Sequence, residues 1–112
     1  MKPIFRNYGL EQKMCGAIKK RLVVKLKYKD DLLERTFEPY ILFEQPNTKT
    51  FSLCGYQTMN LNDRLAEPGW RDFDFYLVKY FTITDVVFKP DTEFSSFKDI
   101  YGSNVIGALD RP

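Results

Sequence analysis

A chain of 112 residues is one domain's worth of polypeptide, since domains mostly run about 100–150 residues around a single core. Hydrophobic residues at 44% and charged residues at 29% exclude a disordered or fibrous chain, and no apolar run approaches the roughly 20 residues that span a bilayer. The formal net charge of +2 hides an asymmetry: residues 1–30 hold nine Lys and Arg against two acidic groups, and the rest of the chain holds eight against thirteen. A basic segment on an acidic body predicts an electropositive face able to meet phosphate or an acidic partner.

Leu10, Met14, Ala17 and Ile18 share one face of a helix expected over about residues 10–20. In Leu22–Tyr28, Leu22, Val24, Leu26 and Tyr28 alternate with Val23, Lys25 and Lys27, the pattern of a half-buried strand with a cationic outer side. Residues 29–31 supply a turn, and Leu33 to Glu38 reads as a returning strand that stops at Pro39. Tyr40–Gln45 and Lys49–Tyr56 flank Pro46, Asn47 and Thr48 as a hairpin. Residues 57–69 read as a long exposed loop, and Trp70 to Leu77 and Thr82 to Lys89 as further strands. Short strands behind one helix predict a mainly β fold, a small five-stranded antiparallel barrel over about residues 20–89. Its extension, 90–112, spaces Phe94, Phe97, Ile100 and Tyr101 for a helical turn laid back on the barrel. The whole of 1–112 is read as one domain.

The absence of histidine removes the usual neutral-pH base and the commonest metal ligand. Cys15 and Cys54 have neither zinc-site nor redox-motif spacing, and the glycines never cluster into a phosphate loop. Asp72 and Asp74 point the same way along a strand, yet two carboxylates on one element read as an acidic edge rather than a metal site. No enzyme activity, cofactor or metal is therefore expected. The residues 1–8 carry charges every few positions and no apolar stretch, so a cytoplasmic protein without a signal peptide or membrane segment is expected.

What remains is a mixture of cations and flat rings: Lys25, Lys27, Arg35, Tyr56, Trp70 and Arg71. Small barrels bind single-stranded nucleic acid or nucleotides by pairing cations with phosphate and stacking bases on aromatic rings.

Four segments, in order, resemble the WYL-domain family. Residues 17–28 are similar to its helix end running into a strand that closes on Tyr28, and Arg35-Thr-Phe-Glu-Pro39 resembles its Arg-x-Val-Glu-Pro element. Phe51-Ser-Leu-Cys-Gly-Tyr56 falls where the family shows Trp-Tyr-Leu-x-Gly-Tyr, with Leu53, Gly55 and Tyr56 in agreement. Arg71-Asp-Phe-Asp-Phe75 resembles its Arg-x-Phe-Arg-Leu segment, so the likeness covers about residues 15–88.

The resemblance implies an Sm-like five-stranded barrel and a ligand-responsive, non-enzymatic module in bacterial transcriptional regulation. It implies binding of nucleic acid or a nucleotide-like ligand, with Arg35 and Arg71 as pocket cations and Tyr56 as the retained ring; Lys25 and Lys27 are expected to add phosphate contacts. Asp74 replaces a family arginine and Ser52 a family tyrosine, an exchange that repels phosphate and removes a ring. The alternative expectation is an interaction module that has lost its ligand and uses the fold to form a homodimer or dock on a regulator protein. With no room before residue 10 for a helix-turn-helix, sequence-specific DNA reading is expected to need a partner chain.

Overall fold

The computed structural model describes residues 6–95, 101–102 and 104–109. One helix, α1 (Tyr8–Lys20), precedes the strands β1 (Leu22–Tyr28), β2 (Arg35–Glu44), β3 (Phe51–Asn60), β4 (Gly69–Asp74), β5 (Val78–Val87) and β6 (Val105–Ala108). A short 3-10 turn, Phe75–Leu77, joins β4 to β5. The strands form one antiparallel sheet in the order β4-β3-β2-β1-β5, with β6 beside β2. Among the described residues no helix is long and apolar enough to cross a membrane.

Capping sets the limits of α1. The Asn7 side chain accepts from the Leu10 N–H at 3.1 Å, and Arg21 adopts a left-handed φ of 59° that ends the helix, its N–H reaching the carbonyls of Ala17 and Ile18. Met14, Ala17 and Ile18 are buried as their spacing predicts, whereas Leu10 stays 41% exposed at the rim of a cleft. Glu11 is buried, accepts from Arg6 at 2.6 Å and from the Tyr76 hydroxyl, and so ties α1 to the turn after β4. Burial by itself raises the Glu11 pKa, but the Arg6 guanidinium and Tyr76 hydroxyl outweigh it and hold the carboxyl below its ordinary range.

The longest correction to the sequence reading concerns β2. Pro39 does not stop a strand; the chain runs on from Arg35 to Glu44. On one edge β2 pairs first with β1 (Arg35 to Phe37) and then with β6 (Ile41 to Phe43), while β3 follows the other edge throughout. Pro39 has no N–H to donate; on one edge it falls where β1 has ended and β6 has not begun, and on the other it stays paired with Gly55 of β3. Tyr40 is the extra residue of a bulge at that same point.

The five-stranded barrel is also corrected: among the described residues the sheet has six strands and does not close. The end strands β4 and β5 are not paired with each other. Between them the Asp74 side chain caps the 3-10 turn by accepting from the Tyr76 N–H at 3.1 Å, and Phe75 and Tyr76 fill the junction by packing on Phe81 and Phe51. Strand β6 arises in the segment read as an extension; four residues containing Gly107 are too short to give an alternation signal. Tyr101 does lie back on the sheet, edge-on to Phe43 at 5.0 Å, and Phe94 packs beside it, while Phe97 and Ile100 lie outside the described residues. The strand β3 continues to Asn60 rather than ending at Tyr56, and β5 begins at Val78 rather than Thr82.

The main core lies between α1 and the sheet, where Met14 and Ile18 meet Val24, Leu26, Phe37, Leu42, Leu53 and Phe73. A smaller cluster of Ile41, Phe43 and Tyr101 forms separately. Gly55 permits the close approach of β3 to the bulged part of β2, because a Cβ there would strike the Glu38 carbonyl and come within 2.7 Å of Phe37 Cζ. Gly55→Ala is therefore expected to destabilise the protein by about 3 kcal/mol in urea unfolding, through backbone displacement rather than lost contacts. A loss below about 0.5 kcal/mol would mean that β2 and β3 can separate there freely.

Candidate functional site

Arg35 opens β2 and Arg71 lies in β4, with β3 between the two strands. Cross-strand pairs share a face of the sheet, and Arg35 pairs with Leu26 while Arg71 has the parity of Phe73, so both arginines issue from the core-facing side at one end of the sheet. There the turn after β1 meets the start of β4 around a cleft of about 640 Å³. Tyr28, Lys29, Asp31, Asn62 and Phe73 line it together with the two arginines. The volume falls within the roughly 300–1,000 Å³ of small-ligand sites.

Each arginine is held differently. The Arg35 guanidinium forms a two-pronged pair with Asp31 at 2.8 and 3.0 Å, and lies 5.5 Å from the centre of the Phe73 ring and 5.8 Å from that of Tyr28. The buried Gln57 contributes a longer acceptor contact at 3.4 Å. Burial pushes the Asp31 carboxyl up, but Arg35 and the Tyr28 N–H outweigh it and leave the pKa below its ordinary value. Arg71 donates to the carbonyls of Trp70 and Glu67 at 2.9 and 2.8 Å, and among the described residues it has no ion-paired carboxylate. Three cations, Lys29, Arg35 and Arg71, thus share the cleft with the carboxylates of Asp30 and Asp31, whereas the Asp72 side chain, one residue from Arg71, faces Ser52 and Cys54 on the other side of the sheet.

The other expected site residues lie elsewhere. Lys25 is exposed between Thr36 and Thr82, and Lys27 sits 5.6 Å from the Tyr80 ring centre, both on the face opposite Val24 and Leu26. Tyr56 pairs across the ladder with Trp70 and packs edge-on against it at 5.7 Å, on the opposite side from Gly55. The five candidates therefore divide into an Arg35–Arg71 pair and three residues on the other face. The two departures from the family pattern fall outside the cleft as well: Asp74 caps the 3-10 turn, and Ser52 is buried, accepting from Gln45 at 3.0 Å.

Sequence reasoning missed Tyr28, Lys29, Asp31 and Asn62 as site residues. Asp31 carried only a turn signal, and Asn62 lay in the segment read as loop. Its side chain accepts from the N–H groups of Leu32 and Leu33 at 3.0 and 2.8 Å and donates to the Leu33 carbonyl at 2.7 Å, which fixes the wall of the cleft. No local pattern announces so distant a contact. Among the described residues no three His, Cys, Asp or Glu side chains converge as metal ligands, and both cysteines are free thiols. Burial pushes the Cys54 thiol up to about 11 and also raises Cys15, which keeps both protonated and weakly nucleophilic. In comparisons with known proteins, no family model, curated protein or solved structure matches this chain.

The Asp31–Arg35 pair has a checkable stability consequence. Because the folded-state pKa of Asp31 is depressed, its contribution is complete above the unfolded value of about 3.9 and is lost as pH falls through the folded value. Asp31→Asn is expected to cost about 1–2 kcal/mol in chemical denaturation near neutral pH, with wild type and variant converging in acid. A pH-independent difference would show that the carboxylate charge is irrelevant there.

Proposed function

We propose that this chain is a non-enzymatic regulatory module of WYL type that binds a small nucleotide-like ligand in the Arg35–Arg71 cleft. The observation that carries the reading is the convergence of these two arginines, from separate strands, on one cleft of ligand size. Arg71 and Lys29 supply the phosphate contacts. The Arg35 guanidinium, 5.8 and 5.5 Å from the ring centres of Tyr28 and Phe73, offers a cationic surface for a base.

The balance of charges favours a mononucleotide over a nucleic-acid strand. Carboxylates beside the arginines accept from the amino groups of a base, but they repel a continuous phosphate backbone. Lys25 and Lys27, which would extend a phosphate track, are on the opposite face of the sheet. The strands β1 to β5, following α1, supply the helix-then-strands order expected of an Sm-like fold, and the module would act in transcriptional regulation through a ligand-dependent change in this cleft.

Isothermal titration calorimetry with adenosine monophosphate, inorganic phosphate and short single-stranded DNA and RNA oligomers tests the reading. Adenosine monophosphate is expected to bind more tightly than phosphate. Arg71→Ala and Arg35→Ala should each weaken it about tenfold, and Lys25→Ala/Lys27→Ala should leave it unchanged. No mononucleotide binding, or binding that depends on the two lysines instead of the arginines, contradicts it; circular dichroism of each variant checks the fold.

A further inference from the structure

The 3-10 turn that joins β4 to β5, the start of β5 and the helix α1 enclose a second cleft, of about 360 Å³. That volume lies at the low end of the roughly 300–1,000 Å³ of small-ligand sites. Phe75, Val78 and Phe81 form its apolar wall, and Leu10 of α1 stands at its rim. Phe75 is buried and packs on Phe81 with ring centres 6.2 Å apart, whereas Val78 and Phe81 are only partly covered although both pack against the main core. The cleft is therefore a gap in the cover of that core.

Its charges have one sign. Lys13 lies one helical turn beyond Leu10, on the same side of α1. Lys79 is the extra residue of a bulge, since its neighbours Val78 and Tyr80 pair with the consecutive residues Tyr28 and Lys27 of β1. Both lysines are exposed, and among the described residues neither has an ion-paired carboxylate. None of the residues that line this cleft is acidic, whereas Asp30 and Asp31 stand among the cations of the Arg35–Arg71 cleft.

The two tyrosine hydroxyls of the lining are engaged elsewhere. Tyr76 donates to Glu11, itself paired with Arg6, and accepts from the Asn7 N–H at 2.8 Å; Tyr80 donates to Glu34 at 3.2 Å. The side chains left to meet a ligand are apolar groups and two ammonium groups. A ligand rich in hydroxyls or amides would leave its polar groups unpaired there, and a cationic one would be repelled.

We propose that this cleft binds a small amphipathic carboxylate, an aliphatic chain ending in one anionic group. The chain lies against Phe75, Val78 and Phe81, and Lys13 and Lys79 hold the carboxylate. No residue of this lining belongs to the Arg35–Arg71 cleft, so the inference does not rest on the nucleotide reading.

Isothermal titration calorimetry of the full chain with octanoate, kept below its micelle-forming concentration, tests the proposal, with hexanoate, acetate and octylammonium alongside. Octanoate is expected to bind, hexanoate about fivefold more weakly for its two missing methylenes, and acetate not measurably. Octylammonium, with the same chain and the opposite charge, should bind about tenfold more weakly than octanoate. Lys13→Glu/Lys79→Glu, at two exposed positions, should weaken octanoate about tenfold with circular dichroism unchanged, and Arg71→Ala should leave it as in wild type. Absence of octanoate binding, octylammonium binding as tight as octanoate, or octanoate binding that is indifferent to the two lysines or lost in Arg71→Ala overturns the proposal.

Discussion

The structure depends on one strand serving three neighbours. A β-strand has two hydrogen-bonding edges, and β2 gives one entirely to β3 while dividing the other between β1 and β6. The division falls at Pro39 and the bulge at Tyr40, between the two partners, where neither β1 nor β6 pairs with the proline and the bulge supplies a bend. From that arrangement follow the pairing of β6 beside Ile41–Phe43, the close approach of Gly107 to Cys15 of α1, and the separation of the smaller Ile41–Phe43–Tyr101 cluster from the main core. Gly55 completes it by letting β3 come close where the bulge crowds the ladder.

The same strand starts the cleft. Arg35 is the first residue of β2, directly after the turn that contains Asp31, and the pair joins turn to sheet. Neutralising Arg35 with Asp31 has two physical effects. It removes the penalty of holding a guanidinium against Phe73 and Tyr28 without a counter-charge, and it leaves a planar group rather than a naked cation facing the cleft. Arg71, whose partners are neutral carbonyls, keeps its full charge available. The proposed ligand is accordingly one with a single anionic group and a flat, hydrogen-bonding part.

Where side chains alternate without interruption, the sequence was a good guide. Leu22–Tyr28 forms β1 with the limits that its alternation predicts, and the same pattern places Val24 and Leu26 inward and Lys25 and Lys27 outward. That alternation already separates the two lysines from a core-facing Arg35 once the Leu26–Arg35 pairing is known. Bulges were not legible, because an added residue inverts the pattern: the shifts near Thr36 and Pro39 broke β2 into two apparent strands and hid the end of β3. Closure was not legible either, since an open sheet and a barrel share the same alternation and differ only in whether β4 meets β5. The two arginines stood in the set of cations and rings and in the family resemblance rather than in any periodicity, and Asn62 came from neither, because its role rests on a contact between distant turns.

The cleft lies where the turn between β1 and β2 meets β4. The central functional claim is that Arg35 and Arg71 act there on one ligand together. Nuclear magnetic resonance of the arginine side-chain Nε–H groups during addition of adenosine monophosphate tests it most directly. The account predicts that the Arg35 and Arg71 signals move together along one saturation curve while Arg21 and Arg64 stay still. Movement confined to other basic side chains, or different saturation curves for Arg35 and Arg71, would contradict it.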